Sequence, residues 1–419
     1  MNESEEKKEV FVIRNAILID GTGKDPLEKG AVVVENSKIV AVGEDDKLDV
    51  PDGTTVIDAK GKTIMPGMIE LHAHIAAWWT KPDATVYDDA LMALLAASCL
   101  RQSLDAGITT VRDVGTSNRV AYSVKRAMET ALIEGSRVLV CGPIISMTGG
   151  HGTSIRGMKA ADGPWECRKA VREQLTLGAD HIKISSTHRP WLGNEEFTME
   201  ELRAIVDEAH KQGKKVAAHA ALMPGMKMAI EAGVDTIEHG MSEMPHVVDD
   251  DTVMLMAEKG VIWVPTLWVF LRKRTKEEEE RREMMMRAGP QTRTMRDSRR
   301  WMEELRENIP DNFKKALEAG VKIGTGADVG LHGYDVPFVA VPEEMELLCK
   351  HGLSNRRAIM AATSVAAEAC GREEDLGTLK EGKLADIIVV DGNPLEDIKA
   401  MKKTLFVMKE GKIHKNLLT

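Results

Sequence analysis

The amino-acid sequence predicts an α/β fold: a (β/α)8 TIM barrel over residues 64–375, with a small β-domain built from residues 1–63 and 376–419. Two observations support this expectation. Through the middle of the chain, eight apolar, strand-like segments alternate with helical patterns, which is typical of a parallel sheet closed into a barrel. At both ends, the pattern changes to β-branched alternation interrupted by turn residues.

The two terminal segments resemble each other in composition. The first contains the stretches FVIRNAILID, GAVVVENSKIVAVG and TTVIDAKGK, and the second contains ADIIVVDG and TLFVMKEGKIHK. Strand-rich ends on either side of a different middle suggest that both termini contribute to one domain.

The barrel strands are predicted from short apolar or β-branched runs bounded by glycine and polar residues. They cover residues 64–74, 108–115, 138–146, 181–185, 215–220, 236–240, 261–267 and 323–328. Functional side chains of such a barrel lie at the carboxyl ends of its strands, so polar residues at these ends are candidates for the site.

Two of the intervening helices carry clear end signals. In FTMEELRAIVDEAHKQGK, Thr198 and Glu201 form a capping box, an apolar stripe follows at helical spacing, and Gly213 ends the pattern. The stretch PGMKMAIEAGV is closed by Gly233. Both patterns predict amphipathic helices between strands.

Two long segments interrupt the alternation. Residues 147–163 form a glycine-rich loop, and residues 271–310 form an insertion, dense in Arg and Glu, after the seventh strand. We interpret the insertion as a solvated helix with ion pairs along its surface. The alternative, in which one of its arginines reaches the mouth of the substrate site, remains open.

Composition argues against several classes of protein. The chain of 419 residues is 43% hydrophobic and 29% charged, and its net charge of −10 disfavours nucleic acid or an anionic membrane as a partner. No apolar run approaches the ~20 residues that span a bilayer, and MNESEEKKEV lacks the apolar core of a signal peptide.

The five cysteines are scattered, which predicts reduced thiols and a cytoplasmic location. Whether the chain forms a homo-oligomer is left open.

The clearest candidate site begins with His72-Ala73-His74 at the end of the first strand. Residues two apart on a strand share a face, so both imidazoles are expected to point the same way and to serve as ligands for a divalent metal. Four further candidates lie on later strands: Lys183, His219, His239 and Asp328. Their placement at or near strand ends predicts a metal site on one rim of the barrel.

These motifs resemble the amidohydrolase superfamily. The similarity lies in HAH, the lysine of HIKIS, and the stretches AAHA, IEHG and GTGAD, and it covers the whole chain. It implies a β-sandwich made from both termini beside the barrel. It also implies a binuclear metal centre, and the residues that hold one ion would be His72, His74 and Asp328. The second ion would be held by His219 and His239.

The resemblance further implies that Lys183 bridges the two ions as a carbamate formed with CO₂. An ammonium group would repel the ions, whereas a carbamate is an anion whose two oxygens can span ions roughly 3.5–4 Å apart. A bridging water would become hydroxide near neutral pH, and Asp328 would shuttle a proton from it to the leaving nitrogen. The His-rich ligand set favours Zn²⁺, with manganese, iron and cobalt as alternatives.

Within the superfamily, the chain is most similar to the branch of Xaa-Pro dipeptidase-like and N-acyl-amino-acid hydrolases, through GMIELHAH, TTVRDVG, the GGHG loop, GADHIKI and IEAGVDTIEHG. The implied reaction is hydrolysis of a peptide or N-acyl-amino-acid amide bond in a small substrate that bears a carboxylate. Ala221 stands where many relatives carry Tyr or His, so no role is transferred to that position.

Three other functions are compared with this one. Imidazolonepropionase-like hydrolases and single-metal deaminases usually lack the strand-four lysine and carry Glu three residues beyond the strand-five histidine; here Lys183 is present and Leu222 occupies that place. A lactonase or phosphotriesterase-type activity would use the same ions and remains open. A non-catalytic scaffold is disfavoured because all six ligand positions are filled.

Several residues near strand ends are weaker candidates. His151, in the glycine-rich loop, is predicted to hydrogen-bond a substrate carbonyl or carboxylate, with an ordinary loop residue as the alternative. His188 and Arg189 could meet a carboxylate but are expected to be surface residues, and His181 is expected in a core layer rather than as a ligand. Trp78, Trp79 and Trp191 would form pocket walls or ordinary packing, and Arg112 with Asp113 a buried ion pair.

Overall fold

The computed structural model describes residues 9–76, 88–151, 158–188, 195–243, 247–272, 276, 293–330 and 339–418. The strands are β1 Val10–Leu18, β2 Leu27–Glu35, β3 Lys38–Glu44, β4 Thr55–Asp58, β5 Thr63–Pro66, β6 Met68–Ala73, β7 Ile108–Asp113, β8 Arg137–Val140, β9 Ile145–Ser146, β10 Lys159–Ala160, β11 Ile182–Ser185, β12 Val216–His219, β13 Thr236–Glu238, β14 Ile262–Val264, β15 Lys322–Ile323, β16 Ile387–Val390, β17 Thr404–Lys409 and β18 Lys412–Asn416. The helices are α1 Asp89–Asp105, α2 Val120–Glu129, α3 Gly163–Thr176, α4 Met199–His210, α5 Met223–Ala232, α6 Asp250–Glu258, α7 Leu267–Leu271, α8 Arg293–Glu318, α9 Val341–Lys350, α10 Asn355–Ala361 and α11 Ser364–Ala369. Within these ranges, no helix combines the length and the apolarity that crossing a membrane requires.

Strands from both ends of the chain form one eight-stranded sheet. Its order is β18-β17-β16-β5-β1-β2-β3, and β4 pairs with β1. The two halves meet at β5, which runs parallel to β1 and antiparallel to β16. Neighbouring residues of β1 and β2 belong to separate apolar clusters, because successive side chains of a strand point to opposite faces. The arrangement of these strands as a sandwich stays a prediction, as does the domain boundary at residue 63.

The prediction of a single strand over residues 64–74 is wrong. Thr63–Pro66 belongs to the terminal sheet, whereas Met68–Ala73 belongs to the barrel. The chain changes sheet at Gly67, where a Cβ atom would lie 2.2 Å from Thr109 Oγ1. A continuous apolar run does not reveal which sheet each residue joins, so the sequence pattern could not locate this break.

Eight parallel strands fit a (β/α)8 barrel. One sheet contains β6, β7 and β8, and another contains β11 to β15 paired in chain order. Between the two sheets, the Asp180 N–H donates to Val140 O at 2.7 Å. On the opposite side, the Leu71 N–H donates to Thr325 O at 3.0 Å and the His74 N–H donates to Val329 O at 2.8 Å. These bonds join the first barrel strand to the segment that follows β15.

Two other predicted barrel strands differ from the observed ones. Of residues 138–146, only the part in β8 pairs with β7, whereas β9 pairs with β10 and β11. The eighth strand is limited to Lys322–Ile323, and the GTGAD segment continues beside β6 without regular strand geometry. Tertiary contacts, which the local pattern does not contain, determine where each strand ends.

The GTGAD segment approaches β6 closely because two of its residues lack side chains. A Cβ atom on Gly326 would lie 2.7 Å from His72 Cβ and 2.5 Å from Val264 Cγ1. A Cβ atom on Gly324 would lie 2.5 Å from Leu71 Cδ1. Glycine at these positions therefore allows the eighth segment to pack directly against the first.

The predicted capping box of α4 and the glycine end of α5 are confirmed, whereas α4 ends before the predicted Gly213. Thr198 caps α4, and the reciprocal hydrogen bonds with Glu201 that define a capping box are both present. Gly233, at φ 98°, ends α5 in the left-handed conformation. Gly213 lies three residues beyond the last residue of α4, His210, and also has a positive φ.

The helix predicted within the insertion is confirmed, but its end is not. Helix α8 runs from Arg293 to Glu318 and contains Pro310, where the insertion was expected to end. Its buried stripe consists of Leu305, Ile309, Phe313 and Ala316. This stripe packs the second half of the helix against the barrel core. Most of the rest of the insertion lies outside the described residues, and the proposed arginine at the substrate mouth stays a prediction.

We expect Gly326→Ala to lower the free energy of unfolding by about 1–3 kcal/mol, because the new methyl group would overlap His72 and Val264 in a packed region. Urea denaturation measures this change. Gly43→Ala is the matched control, since its Cβ would meet only Leu48 Cδ2 at 3.3 Å and Leu48 Cγ at 3.9 Å. Equal stability of both variants would contradict the close packing of the GTGAD segment.

Candidate metal centre

The six predicted ligands all come to the carboxyl ends of the barrel strands. His72 lies in β6, Lys183 in β11 and His219 at the end of β12. The other three follow their strands directly or closely: His74 after β6, His239 after β13 and Asp328 after β15. All six side chains are buried. The structure thus brings together residues separated by more than 250 positions in the sequence.

The tightest group within this set is His72, His239 and Asp328. One potential ligand atom from each lies within 4.8 Å of the other two, a spacing that suits a shared metal ion. His74 is adjacent, with its Nε2 atom 3.4 Å from Asp328 Oδ1. The rings of His219 and His239 have centroids 4.9 Å apart. How these residues divide between two ions stays a prediction.

The imidazoles of three of these histidines are oriented through their Nδ1 atoms. His74 Nδ1 lies 2.8 Å from Gly115 O, and a carbonyl oxygen only accepts, so Nδ1 is the donor in this contact. His72 Nδ1 lies 2.7 Å from Glu238 Oε2, and His239 Nδ1 lies 2.8 Å from Thr266 Oγ1. Such contacts fix the ring and direct Nε2 toward a metal.

Burial favours the neutral form of three of these imidazoles, those of His72, His219 and His239. It lowers the pKa of His72 to about 4, with the Lys183 ammonium contributing to the shift. Burial also lowers the pKa values of His219 and His239 well below the usual range. A neutral imidazole is the form that binds metal, so the histidines are ready to coordinate at neutral pH.

Lys183 lies in an environment that makes its ammonium form less favourable than it is in water. Its side chain is buried, and among the described residues its Nζ makes no hydrogen bond. Burial lowers its pKa to about 8. The Lys183 charge also lowers the pKa of His72, His219 and His239, so the amine is close enough to all three to act on them electrostatically. Buried imidazoles, an aspartate and an amine without a hydrogen-bond partner form a donor set that fits divalent cations.

Three residues at this rim have left-handed backbone conformations that side chains rarely adopt. They are His239 at φ 60°, Thr266 at φ 51° and Asp328 at φ 56°. Each such residue costs of order 1–3 kcal/mol, and strain of this kind concentrates at functional sites. The strained positions coincide here with two candidate ligands and with the residue that orients one of them.

Glu238 contacts His72 and is a further residue of this site, which was not among the candidates predicted from the sequence. Its carboxylate contacts His72 on one side and accepts from Arg112 Nη2 at 2.7 Å on the other. Burial alone would raise the pKa of Glu238, but Arg112 and His72 hold it well below the usual range. The strand period was a usable signal, because Thr236 and Glu238 share one face of β13 and both contact Arg112.

The prediction that Arg112 pairs with Asp113 is wrong. Adjacent residues of a strand point to opposite faces, so these two side chains cannot share one site. Arg112 pairs with Glu238, whereas Asp113 accepts from the Ile75 N–H at 3.0 Å and from Thr116 Oγ1 at 2.7 Å.

A second missed carboxylate, Glu70, connects the first and eighth segments of the rim. Its Oε1 atom accepts from the His72 N–H at 2.7 Å and from the Ala327 N–H at 3.0 Å. Burial raises the pKa of Glu70 to about 8. It precedes His72 by two residues in the same strand, a spacing that places both on one face and could have identified it.

His151 lies at the same site. Its ring stacks on that of His219, with centroids 4.3 Å apart and an interplanar angle of 13°. His188 is half-buried and lies edge-on to His151 at a centroid distance of 6.3 Å, so it is not the exposed residue that the sequence suggested. Both residues therefore belong to the mouth of the candidate site.

The remaining weak candidates divide into two groups. His181 is buried next to the barrel strands, in agreement with a core position. Ala221 is also buried, and its N–H donates to Thr187 Oγ1 at 2.8 Å. Trp78, Trp79, Arg189 and Trp191 lie outside the described residues.

We expect Glu238→Gln to weaken zinc binding about 10–100-fold, because the neutral amide would leave Arg112 uncompensated and would hold the His72 imidazole less firmly. Competition with a chromogenic zinc chelator measures the affinity. The control is Glu208→Gln, which removes a carboxylate paired with Arg168 and Arg172 away from the site. A folded Glu238→Gln protein with wild-type zinc affinity would contradict this role.

Comparison with known proteins agrees with this geometry. The profile of the Amidohydrolase family matches residues 63–414. An ochratoxinase from Aspergillus niger is 28% identical, over 98% of this chain and 88% of the relative. An imidazolonepropionase from Geobacillus kaustophilus is 25% identical, over 87% of this chain and 84% of the relative. The crystal structure of an Xaa-Pro dipeptidase with methionine bound in the active site is 30% identical, with a TM-score of 0.83 over 97% of this chain and 100% of that chain.

The family match spans most of the chain and includes every strand of the barrel. It also includes all six buried residues at the rim. The chain therefore belongs to the amidohydrolase family, as a metal-dependent hydrolase that acts on carbon–nitrogen bonds.

Proposed function

We propose that this enzyme hydrolyses a peptide or N-acyl-amino-acid amide bond in a small substrate, at a binuclear metal centre. One observation carries the proposal: His72, His74, Lys183, His219, His239 and Asp328 converge as buried side chains on one rim of the barrel. Two ions held there, most suitably Zn²⁺, would supply Lewis acidity toward the scissile carbonyl and would acidify a water molecule.

Lys183 is proposed to bridge the two ions as a carbamate. Its Nζ atom is buried near the histidines and, within the described part of the chain, has no hydrogen-bond partner. Because burial lowers its pKa to about 8, a fraction of the amine is neutral at pH 7 and can attack CO₂. The ammonium group would repel the ions, whereas the carbamate formed in its place would offer two anionic oxygens to them.

Asp328 is proposed to carry a proton between the attacking water and the leaving nitrogen. Burial would raise its pKa, but its neighbours His74, His72 and His239 together lower it below the usual range. The carboxylate is therefore ionised at neutral pH and able to accept a proton. His151, stacked on His219 at the mouth, is proposed to donate a hydrogen bond to a substrate carbonyl or carboxylate.

The substrate is proposed to carry a free carboxylate. The support comes from the similar Xaa-Pro dipeptidase, whose active site holds methionine, an amino acid with such a group. The five cysteines are all free, which supports the inference that the enzyme works in the reducing cytoplasm.

An imidazolonepropionase-like reaction is the second candidate, because one similar protein has that name. Lys183 and Leu222 favour the first candidate, for the reasons given in the sequence analysis. Assaying a cyclic imidazolone beside dipeptides and N-acyl-amino acids separates the two, since the binuclear amidase should prefer the open-chain amides.

We expect Lys183→Ala to abolish turnover of every substrate found in a dipeptide and N-acyl-amino-acid library, and to lower the bound metal. The variant cannot form the bridging anion. Metal analysis and ¹³C NMR after loading with labelled bicarbonate provide readouts that do not depend on activity. Lys215→Ala is the control, as Lys215 pairs with Asp235 at 2.9 Å outside the site. Full activity of Lys183→Ala with two ions bound would refute the bridging role.

We expect Asp328→Asn to lower kcat about 10²–10⁴-fold while much of the metal is retained. The amide oxygen can still coordinate, but the group no longer accepts a proton. Steady-state kinetics together with metal analysis test this. Asp207→Asn, which removes a surface partner of Lys211, should behave like the wild type. A wild-type rate for Asp328→Asn would exclude it as the proton shuttle.

A further inference from the structure

The glycine-rich loop that carries His151 is attached to a buried carboxylate, Glu196. Its Oε2 atom accepts from Ser146 Oγ at 2.5 Å, and its Oε1 atom accepts from Ser185 Oγ at 3.2 Å and from the His151 N–H. The Met147 N–H also hydrogen-bonds to this carboxylate. One side chain thus connects both ends of the 147–151 loop to the carboxyl end of β11.

Gly150 packs so closely against the Glu196 carboxylate that no side chain would fit at this position. A Cβ atom at residue 150 would lie 2.3 Å from Glu196 Oε2 and 2.3 Å from Ser146 Oγ. Any side chain would therefore push the carboxylate away from the loop. This contact explains one glycine of the GGHG motif, which the sequence alone could treat only as a flexible position.

Glu196 is itself held in place. The Glu196 N–H donates to Ser186 O at 3.0 Å, and the preceding residue, Glu195, forms a bridge with Thr187. These main-chain contacts attach Glu196 to the segment that directly follows β11.

Burial of this carboxylate is unfavourable, which argues for a role beyond stability. Glu196 is 5% exposed, and burial raises its pKa to about 7 despite the hydrogen bonds from Ser146, His151 and Ser185. A buried carboxylate with these partners costs free energy that an apolar residue would not cost. The buried carboxylate fixes the main chain of His151, whose imidazole stacks on that of His219 with ring centroids 4.3 Å apart.

We propose that Glu196 is a positioning residue, which anchors the 147–151 loop to β11 and thereby holds the His151 imidazole above His219 at the substrate mouth. The anchoring is independent of the reaction, whereas the effect on turnover rests on the proposed function of His151. Two separate measurements therefore test the two parts.

Hydrogen exchange of the holoenzyme tests the anchoring. In Glu196→Ala, we expect exchange of the 147–151 segment to accelerate at least about tenfold, while Glu196→Gln, which keeps an acceptor for the His151 N–H, stays near the wild type. The control is Glu201→Ala, which removes the α4 capping box and the bond to the Gly163 N–H without touching His151. Unchanged exchange in Glu196→Ala would overturn the proposal, whether or not the enzyme cleaves amides.

Kinetics and metal analysis test the effect on the site. Glu196→Ala should lower kcat/KM by the same factor as His151→Ala, Glu196→Gln should restore most of it, and zinc content should stay constant. The double variant should lose no more than either single one, because both changes remove the same interaction. Additive losses would show that Glu196 does not act through His151. Gly150→Ala keeps the Glu196 side chain but adds a methyl group that would push its carboxylate away from the loop. This variant should therefore reproduce the Glu196→Ala kinetics.

Discussion

The buried ion pair between Arg112 and Glu238 is the interaction on which the rim of the barrel depends. Arg112 is 1% exposed and Glu238 is fully buried. The guanidinium also donates to Leu71 O at 2.7 Å and to Thr236 Oγ1 at 3.2 Å, so it ties together β6, β7 and β13. Removing one partner of such a pair costs about 3–5 kcal/mol, because the other charge is left in the interior. The same Glu238 carboxylate orients His72. A change at Glu238 is therefore expected to affect both the stability of the barrel and the geometry of the candidate metal centre.

Buried carboxylates, more than the ligands themselves, organise this site. Glu238 holds the ring of His72, Glu70 holds its main chain together with the eighth segment, and Glu196 holds the loop of His151. Glu344 acts in a similar way, since it accepts from the Leu267 and Trp268 N–H groups directly after the strained Thr266. A carboxylate accepts several N–H bonds at once, and it can therefore join chain segments that have no regular pairing.

The strained backbone follows from the same arrangement. His239 and Asp328 lie beyond the last residues of their strands, and both adopt left-handed conformations. The His239 N–H still donates to Val264 O at 3.0 Å, so the neighbouring strand holds the residue against the strain. Candidate ligands in such conformations would be preorganised, because folding of the barrel would meet the conformational cost before a metal binds.

The sequence by itself determined the barrel and the identity of the ligand candidates, because strand patterns are local and strand ends of a parallel barrel meet at one rim. The family followed from the resemblance of its motifs. His72, His74, Lys183, His219, His239 and Asp328 could be named for that reason. Tertiary structure alone decided the change of sheet at Gly67, the pairing of Arg112 with Glu238, and the attachment of His151 to Glu196. These features depend on contacts between residues that are distant in the chain, and the local sequence pattern does not identify the partners. The role of each of these carboxylates is determined by its burial and by its hydrogen-bond partners, and the residue type alone does not reveal it.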